Sequence, residues 1–156
     1  MISVNVISEN NLWNKKIKNL NNFFNQIIKF FPKKYRFINK KVSLTVLLSD
    51  NHNIKKLNKK FRNKNEFTDV LSFPFEKNSN IKKNRYLGDI IISYEFMNKP
   101  KKSTNLEFKK RVLKTFIHSF LHLLGYDHIK LKDFQEMLIE EVKIYKFTNI
   151  KIINLV

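Results

Sequence analysis

The chain has no cysteine, only two glycines and three prolines, and 13 acidic residues against 31 lysines and arginines. Without cysteine there is no disulfide scaffold and no closed thiolate metal site, which fits a reducing, cytoplasmic setting. So few glycines leave no Gly/Ser linker, and no internal repeat or second domain is visible. No apolar run approaches the roughly 18 residues that span a membrane. The opening MISVNVISEN lacks the basic region and apolar core of a secretory signal. What is present is a globular composition: 42% hydrophobic residues, 15 of the 156 residues phenylalanine. Such a length reads as one domain over residues 1–156. The acid deficit gives a net charge of +18, which favours polyanionic partners, nucleic acid above all. Richness in Lys, Asn, Ile and Phe is also what an AT-rich genome produces, so clustered charge carries more weight than the total.

Three of the four histidines fall inside HSFLHLLGYDH, residues 118–128. His118 and His122 are four apart, which on a helix sets both imidazoles on one face. The apolar run stops at Leu124. Gly125 follows, the residue that most easily takes a left-handed helix-ending conformation. Tyr126 and Asp127 turn the backbone, and His128 swings back towards the other two. Three neutral nitrogen ligands around one point, with a fourth position open, suit a catalytic transition metal, since closed structural sites fill all four positions, usually with cysteine. Zinc, one ion per chain, is the metal expected, although three histidines also suit nickel, copper or cobalt. A lone histidine on an apolar helix is usually a packed core residue; three at this spacing are not explained that way. The spacing equals that of H-E-x-x-H-x-x-G-x-x-H zinc peptidases. Ser119, however, stands where those enzymes carry the glutamate base. The chemistry expected is metal-assisted hydrolysis of something other than a peptide.

Along the chain, alternation predicts strands over 2–7 and 42–48, a third around Val70, Leu71 and Phe73 ending at Pro74, and an interior fourth over 87–93. A loop is expected at 77–85. Helical spacing of Trp13, Ile17, Leu20, Phe24, Ile27, Ile28 and Phe31 predicts one helix from Asn10 or Asn11 to Pro32. A second helix is capped by Asp50 or Asn51. A capping box, Thr104 to Glu107, opens a long buried helix that ends at Gly125. The last helix starts near Asp133, with Phe134, Leu138, Val142 and Tyr145 inward and Glu136 and Glu140 outward. The fold class is α+β: a mixed four-stranded sheet covered by helices, with a buried metal-bearing helix. The early strand–helix–strand steps permit parallel pairing, and the third and fourth strands pair antiparallel.

Three passages give this chain a resemblance to a known family: LNKKFRNKNEFTDVLSFPF (57–75), LGDIIIS (87–93) and HSFLHLLGYDH. They resemble, in order, the L-N-x-x-F/Y-R…T-D-V-L-S-F-P, L-G-D-I and H-G-x-L-H-L-x-G-Y-D-H blocks of the YbeY endoribonucleases, bacterial rRNA maturation factors. The resemblance covers roughly residues 1–147. It implies a single-strand-specific, metal-dependent endoribonuclease acting in 16S rRNA 3′-end maturation and ribosome quality control, in the cytoplasm. His118, His122 and His128 match the family's zinc ligands, and Arg62 its functionally required arginine. One departure is Ser119, where the family usually has glycine: serine either narrows the approach to the metal helix or brings a hydroxyl to a ligand.

Between residues 51 and 65 there are six lysines and arginines and no acid. Lys55, Lys56, Lys59 and Arg62 are the candidates for RNA phosphates, with Phe73 and Phe75 available for stacking or for the core. Taken without the resemblance, Arg62 is a surface arginine of a basic helix. Asp127 has two readings: it orients a ligand histidine from behind, or it makes the turn. Asp69 and Asp89 are read as loop-positioning residues, and His52 as exposed. The partners expected are single-stranded RNA, rRNA and the ribosome, with no membrane and no DNA. The alternatives are a ribosome-associated RNA-binding factor with a structural metal, a zinc peptidase-like hydrolase, and a hydrolase of small phosphate esters.

Overall fold

The computed structural model describes residues 1–75 and 85–153. The elements run β1 (Ile2–Ser8), α1 (Leu12–Lys16), α2 (Leu20–Lys29), a 3-10 turn (Lys33–Tyr35), β2 (Val42–Ser49), α3 (Asn51–Arg62), β3 (Val70–Pro74), β4 (Tyr86–Ser93), α4 (Tyr94–Met97), α5 (Asn105–Leu123) and α6 (Leu131–Ile153). The loop expected at 77–85 lies outside the described residues, Arg85 excepted.

The sheet order is β1-β2-β4-β3. β1 and β2 are parallel from Ile2↔Val42 to Ser8↔Leu48, and β2 and β4 are also parallel. β3 runs antiparallel to β4, from Val70↔Ile92 to Pro74↔Gly88, and forms one edge. That edge tolerates Pro74, which has no N–H to give a ladder. β4 is interior, which is why its run of isoleucines is buried on both faces.

Alternation along the strands sorts side chains to two faces. Val42, Leu44, Val46 and Leu48 join Ile90 and Ile92 in the main core under α1, α2 and α5. Ile91 and Leu71 point the other way and form a small second core with Ile54 of α3. α5 sits deepest. Phe108, Val112, Leu113, Phe116, Phe120 and Leu121 have no exposed surface. Phe116 meets Phe24 edge-on at 5.1 Å between ring centroids, and Phe120 meets Phe31 at 5.2 Å. Such interlocked rings hold a helix in one orientation. The expected capping box is present at its start, with Thr104 Oγ1 accepting from the Glu107 N–H and Glu107 accepting from the Thr104 N–H.

Two expectations fail. The single helix over 10–32 is two. Ile17 is extended, with φ −134° and ψ 106°, and Asn19 caps α2 by accepting from the Asn22 N–H at 2.9 Å. Asparagine's side chain competes for backbone N–H groups, so it favours a cap over a helix interior. The apolar spacing from Trp13 to Phe31 runs across the break because both helices face the same core. The second correction concerns α6, which is rotated from the expected orientation. Phe134, Leu138 and Val142 are 47%, 44% and 45% exposed, while Met137, Ile144 and Thr148 are buried. Glu136 points outward and Tyr145 packs on the core, both as expected. Glu140, expected outward, turns in: it accepts a hydrogen bond from Tyr35 and pairs with Lys34 at 2.9 Å. Burial works against its charge, but those donors prevail and hold its pKa below the usual carboxylate range. Two regular stripes compete on this helix, and partners from elsewhere in the chain select the one that carries the glutamates.

Candidate metal centre and cleft

α5 delivers the first two histidines and its C-terminus delivers the third. Gly125 takes φ +91°. Its N–H donates to the His122 carbonyl and the Tyr126 N–H donates to the Leu121 carbonyl, both at 3.0 Å. This double bond pattern is the Schellman stop, and it reverses the chain within one residue. Asp127 Oδ1 then accepts from the His128 N–H at 2.7 Å and tightens the turn. The three imidazoles end up with centroids 4.6, 5.0 and 5.4 Å apart. One nitrogen from each lies within 4.8 Å of the others.

The hydrogen bonds select which nitrogens converge. His122 Nδ1 is 2.9 Å from the Tyr126 carbonyl oxygen. A carbonyl only accepts, so Nδ1 carries the proton and Nε2 the lone pair. His118 Nδ1 lies 2.6 Å from Glu141 Oε1, with the same result. The two Nε2 atoms face each other at 3.1 Å. Two lone pairs aimed at one point are an arrangement that a cation satisfies, so the donor set fits a divalent transition metal. Burial, reinforced by His118, pushes the His122 pKa below the ordinary imidazole value, against the Tyr126 hydrogen bond. The neutral ligand form is thereby favoured.

The triad opens into a cleft of about 590 Å³ between the end of α3, the β3 edge and the 125–129 turn. Arg62 stands in this cleft, 56 residues from His118 in sequence, and its Nη2 donates to the Ser72 carbonyl at 3.0 Å. Asp127 also lines it. Lys55, Lys56 and Lys59 are on α3 but do not line the cleft among the described residues. Lys55 is half-buried with its Nζ 4.9 Å from the Phe67 ring centre. Lys56 and Lys59 are exposed. Phe73 packs in the second core against Phe61, and Phe75 is exposed beside Tyr86. Asp69 bonds its neighbour's N–H, Asp89 accepts from Tyr86, and His52 is exposed. A larger cavity of about 760 Å³ opens near Met1, Ile28, Arg36 and Val42. Its described lining holds no histidine or carboxylate, so it offers no set of metal-ligating side chains like that of the smaller cleft.

Three residues escaped the sequence reading. Lys64 and Phe67 line the cleft, and the only signal for Phe67 was an aromatic side chain in the polar stretch NKNEFTD. Glu141 touches His118, a candidate ligand, from 23 residues away, with no local signal at all. Ser119 is fully buried, its hydroxyl makes no hydrogen bond among the described residues, and it does not line the cleft.

An α+β sheet whose deepest helix ends in three convergent imidazoles, open to solvent beside an arginine, defines the class of histidine-triad metal hydrolases. Comparison with known proteins narrows this. The family described as Endoribonuclease YbeY matches residues 7–149. The Endoribonuclease YbeY of Pelagibacter ubique is 68% identical over 152 residues, covering 97% of this chain and 99% of the relative. That of Borrelia turicatae is 41% identical over 111 residues, covering 70% and 74%. The solution structure of TM1509 from Thermotoga maritima superposes with a TM-score of 0.55 at 29% identity, over 95% of this chain and 89% of that one. The chain belongs to the YbeY endoribonuclease family.

Proposed function

We propose that this chain is a metal-dependent endoribonuclease that hydrolyses phosphodiester bonds in single-stranded RNA, acting in the cytoplasm on the 3′ end of 16S rRNA and in ribosome quality control. The observation that carries the reading is the shared cleft: three imidazoles that converge on one point, and Arg62 facing the same space. His118, His122 and His128 would hold one zinc ion. Zinc there would supply Lewis-acid polarisation of a phosphate oxygen and a lowered pKa for water.

The protein's own groups do the rest. Arg62 uses one N–H on the Ser72 carbonyl, which fixes the guanidinium at the β3 edge. Its charge then meets the negative charge that accumulates on a phosphate as the bond breaks. Lys64 is placed to hold an adjacent backbone phosphate, and the 52%-exposed Phe67 offers a face for an unstacked base. Lys55, Lys56 and Lys59 would track the strand outside the cleft. Asp127 holds the turn that carries His128. The peptidase's glutamate has no counterpart, because Ser119 is buried outside the cleft. Among the described residues no helix is long and apolar enough to cross a membrane.

The test is cleavage of a single-stranded rRNA fragment by purified protein, with and without chelator, beside His122→Ala purified identically. Wild type should cut, and both chelator and substitution should abolish cutting. Equal cleavage by both proteins marks a contaminant. RNA binding without cleavage by either overturns the hydrolase reading in favour of a ribosome-associated binding factor.

A further inference from the structure

We infer that Glu141 is a positioning residue of the metal centre: from α6 it holds His118 in the tautomer and orientation that aim Nε2 at the metal. The inference rests on the metal-site reading above and adds a residue outside the HSFLHLLGYDH motif.

The contact is short and directional, Oε1 to Nδ1 at 2.6 Å. A carboxylate has no proton of its own to offer an imidazole, so it accepts from Nδ1–H and leaves the lone pair on Nε2. Carboxylates behind metal-ligating histidines fix ring orientation in this way. Both members are partly shielded, with side chains 34% and 27% exposed, so solvent only partly screens the pair. His122 receives the same service from a backbone carbonyl that the Schellman turn provides. His118 lies on the preceding helical turn, beyond the reach of that loop, so its partner has to come from another element.

The orientation of α6 agrees with this role. The helix leaves Phe134, Leu138 and Val142 about half exposed and turns Glu140 and Glu141 inward. An apolar stripe of that size facing water forfeits burial free energy. The contacts made in exchange are the Tyr35–Lys34–Glu140 cluster and the Glu141–His118 pair. Glu141 does not line the cleft, so its contact with the centre runs through His118. Asp127, the carboxylate adjacent to His128, bonds the backbone instead of an imidazole.

The experiment measures zinc affinity by competition with a chromophoric chelator for wild type, Glu141→Gln and Glu141→Ala, with His122→Ala as the ligand-loss reference. Glu141→Gln keeps the shape and an acceptor oxygen but loses the charge, so it tests positioning even where the alanine variant folds poorly. We expect affinity about 10- to 100-fold weaker for Gln, and weaker again for Ala. The cobalt-loaded proteins should differ in their visible ligand-field bands, while circular dichroism of the metal-free Gln variant overlays wild type. RNA cleavage at saturating metal should lose kcat with KM unchanged. Wild-type affinity in both variants, together with lower melting points, would reduce Glu141 to a tether between α5 and α6 and overturn the inference. Failure of wild type itself to bind zinc, cobalt or nickel would overturn the metal reading from which it starts.

Discussion

Gly88→Ala tests whether the LGDIIIS strand needs its glycine for close approach. A Cβ built there lies 2.2 Å from the Phe73 carbonyl oxygen and 3.0 Å from the Phe75 nitrogen and Pro74 Cα. All three are backbone atoms of the antiparallel partner, so no side-chain rotation relieves the contact. The residue also sits at φ +136°, where an L side chain is strained by about 1–3 kcal/mol. Opening β3 from β4 would weaken the Phe75 N–H bond to the Leu87 carbonyl, now 3.0 Å, at about 1 kcal/mol. With the residual clash the sum is about 3–4 kcal/mol, a large part of a domain's typical stability. For a chain of this size that lowers the melting point by about 6–16 °C. Thermal unfolding of metal-free protein followed by circular dichroism reads it directly. β3 also carries the Ser72 carbonyl that holds Arg62, so RNA cleavage should fall while metal affinity, set on α5, its turn and Glu141 of α6, holds. A melting point within about 2 °C of wild type would refute the reasoning.

Arg62→Ala should slow cleavage by about 10²–10³-fold with a smaller loss of RNA affinity, and Arg62→Lys should restore only part of the rate, because an ammonium cannot make the planar fork; single-turnover kinetics separate the two effects, and equal losses in rate and affinity would make Arg62 a plain binding residue. The lowered His122 pKa makes metal-free stability pH-dependent. The unfolded chain takes up that proton first, so the contribution is complete above about pH 6.5 and is lost as pH falls below it. Urea titrations between pH 8 and pH 5 should show a steeper decline for wild type than for His122→Gln; parallel declines would remove His122 as the source.

The metal motif was legible because everything that builds it is local. Four-residue spacing sets two imidazoles on one face, and a glycine that takes positive φ returns the third, all within eleven residues of chain. The capping box at Thr104 and the strand alternation of Val42, Leu44 and Val46 are local for the same reason. The break at Ile17–Asn19 was hidden, because an apolar period reports which side faces the core and not whether the backbone is continuous. By itself, then, the sequence determined most of the secondary elements, the α+β class, the histidine triad and, through three motif blocks, the family. Tertiary structure decided what depends on contacts between distant segments: β4 inserted between β2 and β3, the rotation of α6, Arg62 and Phe67 in the histidine cleft with Lys55, Lys56 and Lys59 left outside it, and Glu141 behind His118. Periodicity ranks faces by hydrophobicity alone. A carboxylate turned inward against an apolar stripe is stabilised by partners that only the folded chain brings within hydrogen-bonding distance.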